Sequence, residues 1–328
     1  MIVSVVSMPE GLVTRTDAAQ ARERLATSAF VLVDVELPEE AAPDEEPLAP
    51  QLGLDAGRYA WFGRKGEPVR AEYQGDRATF VVPLYLTDRV AHVHVLVTEQ
   101  HLVTAHRGQV EPLENLASQL PQERPADAVA VLFLLLQAAL ETFRRAAVAA
   151  LLTVEDLEDE MFENRRAEQV YRLSQLRRRA ALLHHSLLPY LQTMDEVITR
   201  RMLSSTFPEA RQRLAREFQQ GCRLVRTDIE SLQDATRRAF ASYTSLVSGE
   251  QNGVINRLAI VSTIFLPLTF LTGYFGMNFT YLTDKLESGA VFWLLAVGLQ
   301  VISLVGALYV LHRTNLWRRL RDEGWEDR

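Results

Sequence analysis

Cysteine is almost missing from this chain. Cys222 is the one thiol in 328 residues, so no disulfide can close within a copy and no thiolate metal cluster can be built from one. The thiol reads as a small apolar core residue. A basic excess is also missing: 42 Asp and Glu stand against 35 Lys and Arg, a formal charge of −7. That balance excludes a protein whose main work is gripping phosphate backbones, and nucleic acid is not an expected partner. No G-x-x-x-x-G-K-[ST] loop, H-E-x-x-H motif or Ser/His/Asp grouping occurs. Nothing therefore points to ATP-driven work, to an enzyme or to a bound prosthetic group. A secretory leader is not expected, because MIVSVVSMPEGL lacks a cationic start, a long apolar stretch and a small-residue cleavage site.

Long apolar runs are scarce in the first three quarters of the chain and abundant in the last. LAIVSTIFLPLTFLTGYF occupies 258–275 and AVFWLLAVGLQVISLVGALYVL occupies 290–311, each uncharged and long enough to cross a hydrocarbon core of about 30 Å. The connector at 276–289 is too short to hold a domain, so the two spans form a hairpin. Arg257 precedes the first span, and Arg313, Arg318, Arg319 and Arg321 follow the second, whereas the connector offers only Lys285. This asymmetry puts both termini on the cytoplasmic side of a cell (inner) membrane, with lipid as a partner.

The remainder divides into an α/β region at 1–125, long helices at 126–207 and a stalk at 208–257, with a basic tail at 312–328 after the spans. The expected fold class is α+β: a mainly antiparallel sheet with helices on its faces, then a long stalk helix and the hairpin. ATFVVPLYL, RVAHVHVLV and HLVTAH are the clearest strands, by alternation and β-branched content. Eight carboxylates and no Lys or Arg lie between Asp34 and Asp55, which reads as a solvated loop or, alternatively, as acids that bind a cation. His92 and His94 share a strand face but lack a third ligand, so they read as ordinary sheet residues.

Two periodicities carry more information. Phe218, Cys222, Val225, Ile229, Leu232, Thr236, Ala239, Tyr243 and Leu246 advance in steps of three and four, a heptad seam. A helix from about Glu209 to Tyr274 would be roughly 100 Å long at 1.5 Å per residue. No small domain covers such a length, so neighbouring chains or other helices must bury it, and oligomerisation is expected. In the first span Asn252, Ile255, Leu258, Ser262, Leu266, Thr269 and Gly273 form one stripe. One hairpin cannot enclose a water-filled path, but a ring of several copies can. Apolar side chains meeting on the axis can then gate by dewetting, while hydroxyls and carbonyls accept contacts from a hydrated cation. The second span, with Gln300 and Ser303 as its polar interruptions, fits a lipid-facing outer ring.

The first span ends in Gly276-Met277-Asn278, preceded by NGVINRLAIVSTIFLPLTFLTGYF and followed by a short loop and one last span with a basic tail. In this context the chain resembles the CorA family of magnesium transporters, and the similarity extends through the stalk, QLRRRAALLHHSLLP and HLVTAHR. The resemblance implies a funnel-shaped homopentamer that passes Mg2+, with Co2+ or Ni2+ as surrogates, down its electrochemical gradient and is regulated by internal Mg2+. It implies an outer ring of Gly276, Met277 and Asn278 for the hydrated ion. It also implies an inner constriction at Asn252, Ile255 and Leu258, and polar stations at Thr269 and Gly273. Glu217 matches a stalk carboxylate for regulatory Mg2+, and Asp55 is its suggested partner. The outer loop departs from the family pattern: Asp284 keeps one carboxylate at the entrance, and Lys285 offsets part of its field. The alternatives are a zinc transporter of the related ZntB branch, with or without proton coupling, and a membrane-anchored enzyme or sensor.

Overall fold

The computed structural model describes residues 1–7, 12–28, 30–40, 46–55, 57–74, 77–87, 89–202, 207–277 and 288–313. These fall into two compact units, Met1–Phe240 and Ala241–Arg328.

The first unit is organised by a sheet of β1 (Ile2–Ser7), β2 (Leu12–Thr16), β3 (Val31–Leu37), β4 (Ala71–Gln74), β5 (Arg77–Leu86), β6 (Arg89–Val97) and β7 (His101–Arg107), in the order β2-β1-β3-β7-β6-β5-β4. Neighbouring strands pair antiparallel, save β3 and β7, which run parallel with Val33 opposite Val103. The sheet is thus mainly antiparallel, as the alternation predicts. Period-2 placement sends Val31, Val33, Val35 and Leu37 to one face with Val103 and Ala105. There they meet Trp61, Phe62, α1 (Ala18–Thr27) and the short α2 (Leu48–Gln51). Each buried aliphatic side chain in such a layer contributes about 1.5–3 kcal/mol.

Helices α3 (Glu111–Glu123), α4 (Ala128–Glu163) and α5 (Ala167–Met202) follow, with α4 packing on β5, β6 and β7, α5 on β4 and β5, and α3 on α4. Asp127 caps α4 by accepting from the Ala130 N–H at 2.8 Å. Its other oxygen takes Nε and Nη2 of Arg211 at 3.1 and 2.7 Å, tying the start of α4 to the next helix. Pro189 lies inside α5, and the helix continues through it. Composition masks α3: Pro112 and Pro121 suggest a loop. Pro112 nonetheless sits in the first turn, where a missing N–H costs nothing. Leu113, Leu116 and Leu120, buried at helical spacing, hold the helix in place.

Helix α6 (Glu209–Phe275) begins directly after Pro208 and contains both the stalk and the first span. The heptad seam finds its cover in other helices of the same chain. Phe218, Val225, Ile229, Leu232, Thr236 and Ala239 are buried within the first unit itself. Phe218 packs its ring on Phe133 at 6.5 Å and on Tyr190 at 6.3 Å, and Arg144 of α4 reaches Asp228 at 3.5 Å. Side chains from α4 and α5 supply the cover, the second of the two sources that the periodicity leaves open, so this stretch of seam does not by itself demand a neighbour.

In the second unit, α7 (Gly289–Arg313) is the second apolar helix, with Phe292–Val297 wound as a π-helix. Both apolar helices are long enough to cross a membrane, and only 6% of the most apolar window of each is buried. A core helix of a soluble protein would be largely covered. Gln300 and Ser303 align with Ala296, Ala307 and Leu311 on the less accessible side of α7, while Trp293, Leu294, Val301, Ile302 and Val305 are exposed. The two polar residues are thus withdrawn from the exposed apolar face of the helix.

Candidate functional site

The stretch of α6 from Asn252 to Met277 has two contrasting sides. Gly253, Ile260, Ile264, Leu271 and Phe275 are buried or half-buried, with Ile260 at 6% exposure. Asn252, Ile255, Leu258, Ser262, Leu266, Thr269 and Gly273 are all exposed, with Ile255 at 62%, Leu258 at 66% and Leu266 at 74%. At about 100° per residue the second set lies roughly half a turn round the helix from the first. The residues singled out from sequence as one stripe therefore do share one face, which is exposed in the single chain together with Val254, Val261, Phe265 and Phe270 beside it. The covered set was not singled out, although Ile260, Ile264, Leu271 and Phe275 advance in the same helical steps.

The chemistry of the bare face is uniform in one respect. From Asn252 to Met277 the single charged residue is Arg257, and the segment contains no Asp, Glu, His or Cys. What it offers is an amide at Asn252, a hydroxyl at Ser262, a hydroxyl at Thr269 and apolar collars between. Thr269 donates its hydroxyl hydrogen to the Phe265 carbonyl at 2.8 Å, and Thr263 and Thr272 bond back to Ala259 and Leu268 at 2.8 and 3.0 Å. With its one hydrogen engaged, Thr269 presents oxygen lone pairs to whatever lies beyond the helix. Such back-bonding also bends helices, and Pro267 removes a further backbone donor in the same turn region.

The helix closes tightly. The Gly276 N–H bonds to the Thr272 carbonyl at 2.9 Å and the Met277 N–H to Tyr274 at 3.4 Å. A Cβ added at Gly276 would stand 3.0 Å from the Thr272 oxygen, closer than side chains normally come. Glycine here lets the last turn stay tight where the chain leaves the helix. Asn278 and Asp284, the other residues assigned to the ion entrance, lie outside the described residues.

The carboxylates assigned to regulation are both exposed and both already engaged. Asp55 accepts from the Gly57 and Arg58 backbone N–H groups at 2.9 and 3.3 Å through Oδ1, capping its own turn. Glu217 lies 3.6 Å from Arg213 one turn earlier on α6. The acidic 34–55 stretch is similarly distributed: Asp34 is in β3, where Thr104 and His106 donate to it, and Glu39 pairs with Arg89 at 2.9 Å. Burial lowers the His106 pKa, but the Asp34 carboxylate and the Gly108 carbonyl outweigh it and leave a net rise. His94 is core, its ring 5.6 Å from Trp61 and 5.7 Å from Phe62, and burial pushes its pKa down to about 4. Among the described residues no three His, Cys, Asp or Glu side chains are grouped to hold a metal ion.

With this geometry in view, comparison with known proteins is informative. Residues 27–313 match the family described as CorA-like Mg2+ transporter protein. The cobalt/magnesium transport protein CorA of Thermotoga maritima is 27% identical over 162 residues, 48% of this chain and 44% of that protein, so the match spans less than half its length. The CorA protein of Methanocaldococcus jannaschii is 22% identical over 278 residues, 80% of this chain and 82% of that one. Its complete structure superposes with a TM-score of 0.73 at 17% identity, covering 95% of this chain and 97% of that chain. The ZntB cytoplasmic domain of Vibrio parahaemolyticus has a related fold, with a TM-score of 0.57 at 9% identity over 76% of this chain and 98% of that domain. The bare polar-and-apolar stripe running to Gly276-Met277 thus belongs to a chain that is a member of the CorA-like Mg2+ transporter family.

Proposed function

We propose that copies of this chain assemble with their first spans around a common axis and conduct Mg2+ passively into the cell. The observation that carries this reading is the exposed stripe Asn252–Ile255–Leu258–Ser262–Leu266–Thr269–Gly273, opposite the covered side of the same helix. A bare face of alternating polar and apolar residues suits neither lipid nor a dry helix contact, whereas it suits a hydrated conduit with greasy collars. Five copies is the number that the family resemblance implies.

The absence of carboxylate, imidazole and thiolate from Asn252 to Met277 bears on the ion. Mg2+ gives up water reluctantly and is recognised through its hydration shell by amide and carbonyl oxygens. Zn2+ is held by direct His, Cys or carboxylate ligation, which this face does not offer. Gly276, Met277 and Asn278 form the entrance in this reading, with Asp284 as its one nearby acid. Ile255 and Leu258 form the collar that gates by dewetting. An inside-negative potential suffices as the driving force, since two charges moving inward gain about 4.6 kcal/mol per 100 mV. Glu217 and Asp55, both exposed oxygen donors, suit a weak regulatory Mg2+ site between copies that favours the closed state. The flanking arginines place both termini in the cytoplasm.

The test is uptake into liposomes containing the purified full chain, under an imposed inside-negative potential. Saturable Mg2+ entry that Zn2+ barely affects is the expected result. Zn2+ entry indifferent to Mg2+ would favour the ZntB-like alternative, and an assembled protein passing neither ion would return the hairpin to the status of an anchor.

A further inference from the structure

A second site lies in the first unit, Met1–Phe240. Between β4, β5, α4, α5 and the start of α6 lies a partly open cavity of about 190 Å³. Its walls include Phe80, Leu132, Leu136, Met194 and Ile198, all buried. An apolar cavity of about 150 Å³ stays dry and admits a molecule the size of benzene, so this one accommodates a ligand body of six or so carbons. Void space of this kind forfeits contact energy in a core that is otherwise closely packed.

The lining changes character at one end, where the residues are only partly covered. Tyr73, Arg201 and Arg211 stand there. Arg211 is neutralised: Asp127 holds it at 2.7 Å and Glu99 lies 3.6 Å away. Arg201 differs. Its guanidinium lies over the Tyr73 ring, 4.9 Å from the centroid, and among the described residues no carboxylate pairs with it. A guanidinium held by an aromatic face beside an apolar void is a half-made anion site, because Tyr73 orients the planar fork and accepts a hydrogen bond from part of it, which leaves the rest of the fork to meet a carboxylate.

We propose that this cavity binds a small amphiphile with a single carboxylate, its hydrocarbon body inside and its carboxylate on Arg201. Such a site is independent of the ion path. It is formed wholly within Met1–Phe240, so loss of ion transport and loss of ligand binding are separately observable.

The experiment uses the full chain in lipid nanodiscs, with empty discs as reference. Sodium hexanoate is titrated by ligand-observed saturation-transfer NMR, with 1-hexanol as the uncharged control. Saturable hexanoate binding below about 10 mM is expected. Arg201→Gln should weaken hexanoate by about tenfold or more while changing hexanol far less, because only the charge-assisted bonds are removed. Val197→Phe, a partly exposed lining position that tolerates bulk, should abolish both. Ion uptake by both variants should remain that of the parent, which also reports that they fold. No saturable binding to the parent would overturn the proposal, and this is the result if a second copy fills the cavity. Equal hexanoate affinity in the parent and both variants would overturn it too.

Discussion

The two units bury their apolar residues by different means. In Met1–Phe240 most large hydrophobic side chains find partners within the chain, although Leu12, Phe162 and Tyr171 stand exposed: Phe143, Phe218, Tyr190 and Leu84 are all fully buried. In Ala241–Arg328 the reverse holds, and Val254, Ile255, Leu258, Phe265, Leu266, Phe270 and most of α7 stand exposed. A soluble monomer seldom tolerates such a surface. The first unit thus covers most of its apolar surface within one chain. The second is complete only when lipid meets some of its faces and, in the proposed reading, other copies meet the rest. The same helix α6 passes from one regime to the other, so identical heptad-like spacing means intrachain packing before Phe240 and an open face after it.

The sharpest way to separate the regimes is at the end of the first span. Asn278→Ala should eliminate Mg2+ uptake in liposomes while the purified protein still elutes as the parent assembly. Unchanged uptake would remove the Gly-Met-Asn motif from the mechanism. Next in size is a pair of truncations on α6. Phe218→Ala should cost about 3–5 kcal/mol because it opens a cavity between Phe133 and Tyr190. Leu266→Ala, on the bare face, should change stability by less than about 0.5 kcal/mol. Thermal denaturation of the full chain compares them, and equal losses would erase the contrast.

How much of this contrast was legible in the sequence depends on what each signal measures. Hydropathy and length locate both spans, because lipid solvation is a property of the segment alone. The stripe is visible because helical spacing fixes which residues share a face. The partner of a face is not a local property, which is why the spacing from Phe218 to Ala239 leaves neighbouring chains and other helices both open, and only the fold assigns the cover to α4 and α5. Helix α3 was hidden by Pro112 and Pro121, whose turn chemistry outweighs a three-leucine pattern in any local reading. β1 was overlooked although Val3 and Val5 alternate properly. The engagement of Asp55 with its own turn could not be read at all, since an Asx turn and a metal ligand use the same residue type.

Smaller effects refine the picture within the first unit. His94, buried neutral with its pKa down at about 4, adds stability that is present above about 6.5 and lost as the pH falls from there toward 4, on the order of 3 kcal/mol in full. His106 has the opposite sign. Its raised pKa stabilises fully below about 6.5, and that contribution is lost as the pH rises through the folded value. Denaturation midpoints across pH 4 to 8 (roughly the window these two shifts define) should give His94→Phe a shallower acid limb and His106→Gln a shallower basic limb. Unaltered slopes would assign the pH dependence to other groups. The smallest stability change belongs to Glu217→Ala, about 0.5 kcal/mol or less for an exposed pair. The same variant should need more internal Mg2+ to shut flux, and an unshifted Mg2+ dependence would take Glu217 out of regulation.

The central claim is that the bare face of α6 looks onto a water-filled path, and cysteine accessibility addresses it directly. The native Cys222 is half-buried, and burial, with Asp195 nearby, pushes its thiol up to about 12, so it reacts poorly with thiolate-selective reagents. Leu258→Cys and Leu266→Cys should each take up a cationic, water-soluble methanethiosulfonate and lose Mg2+ uptake on modification, whereas Ile260→Cys and Ile264→Cys should remain unmodified. Labelling at 260 and 264 with 258 and 266 untouched and flux intact would contradict the account.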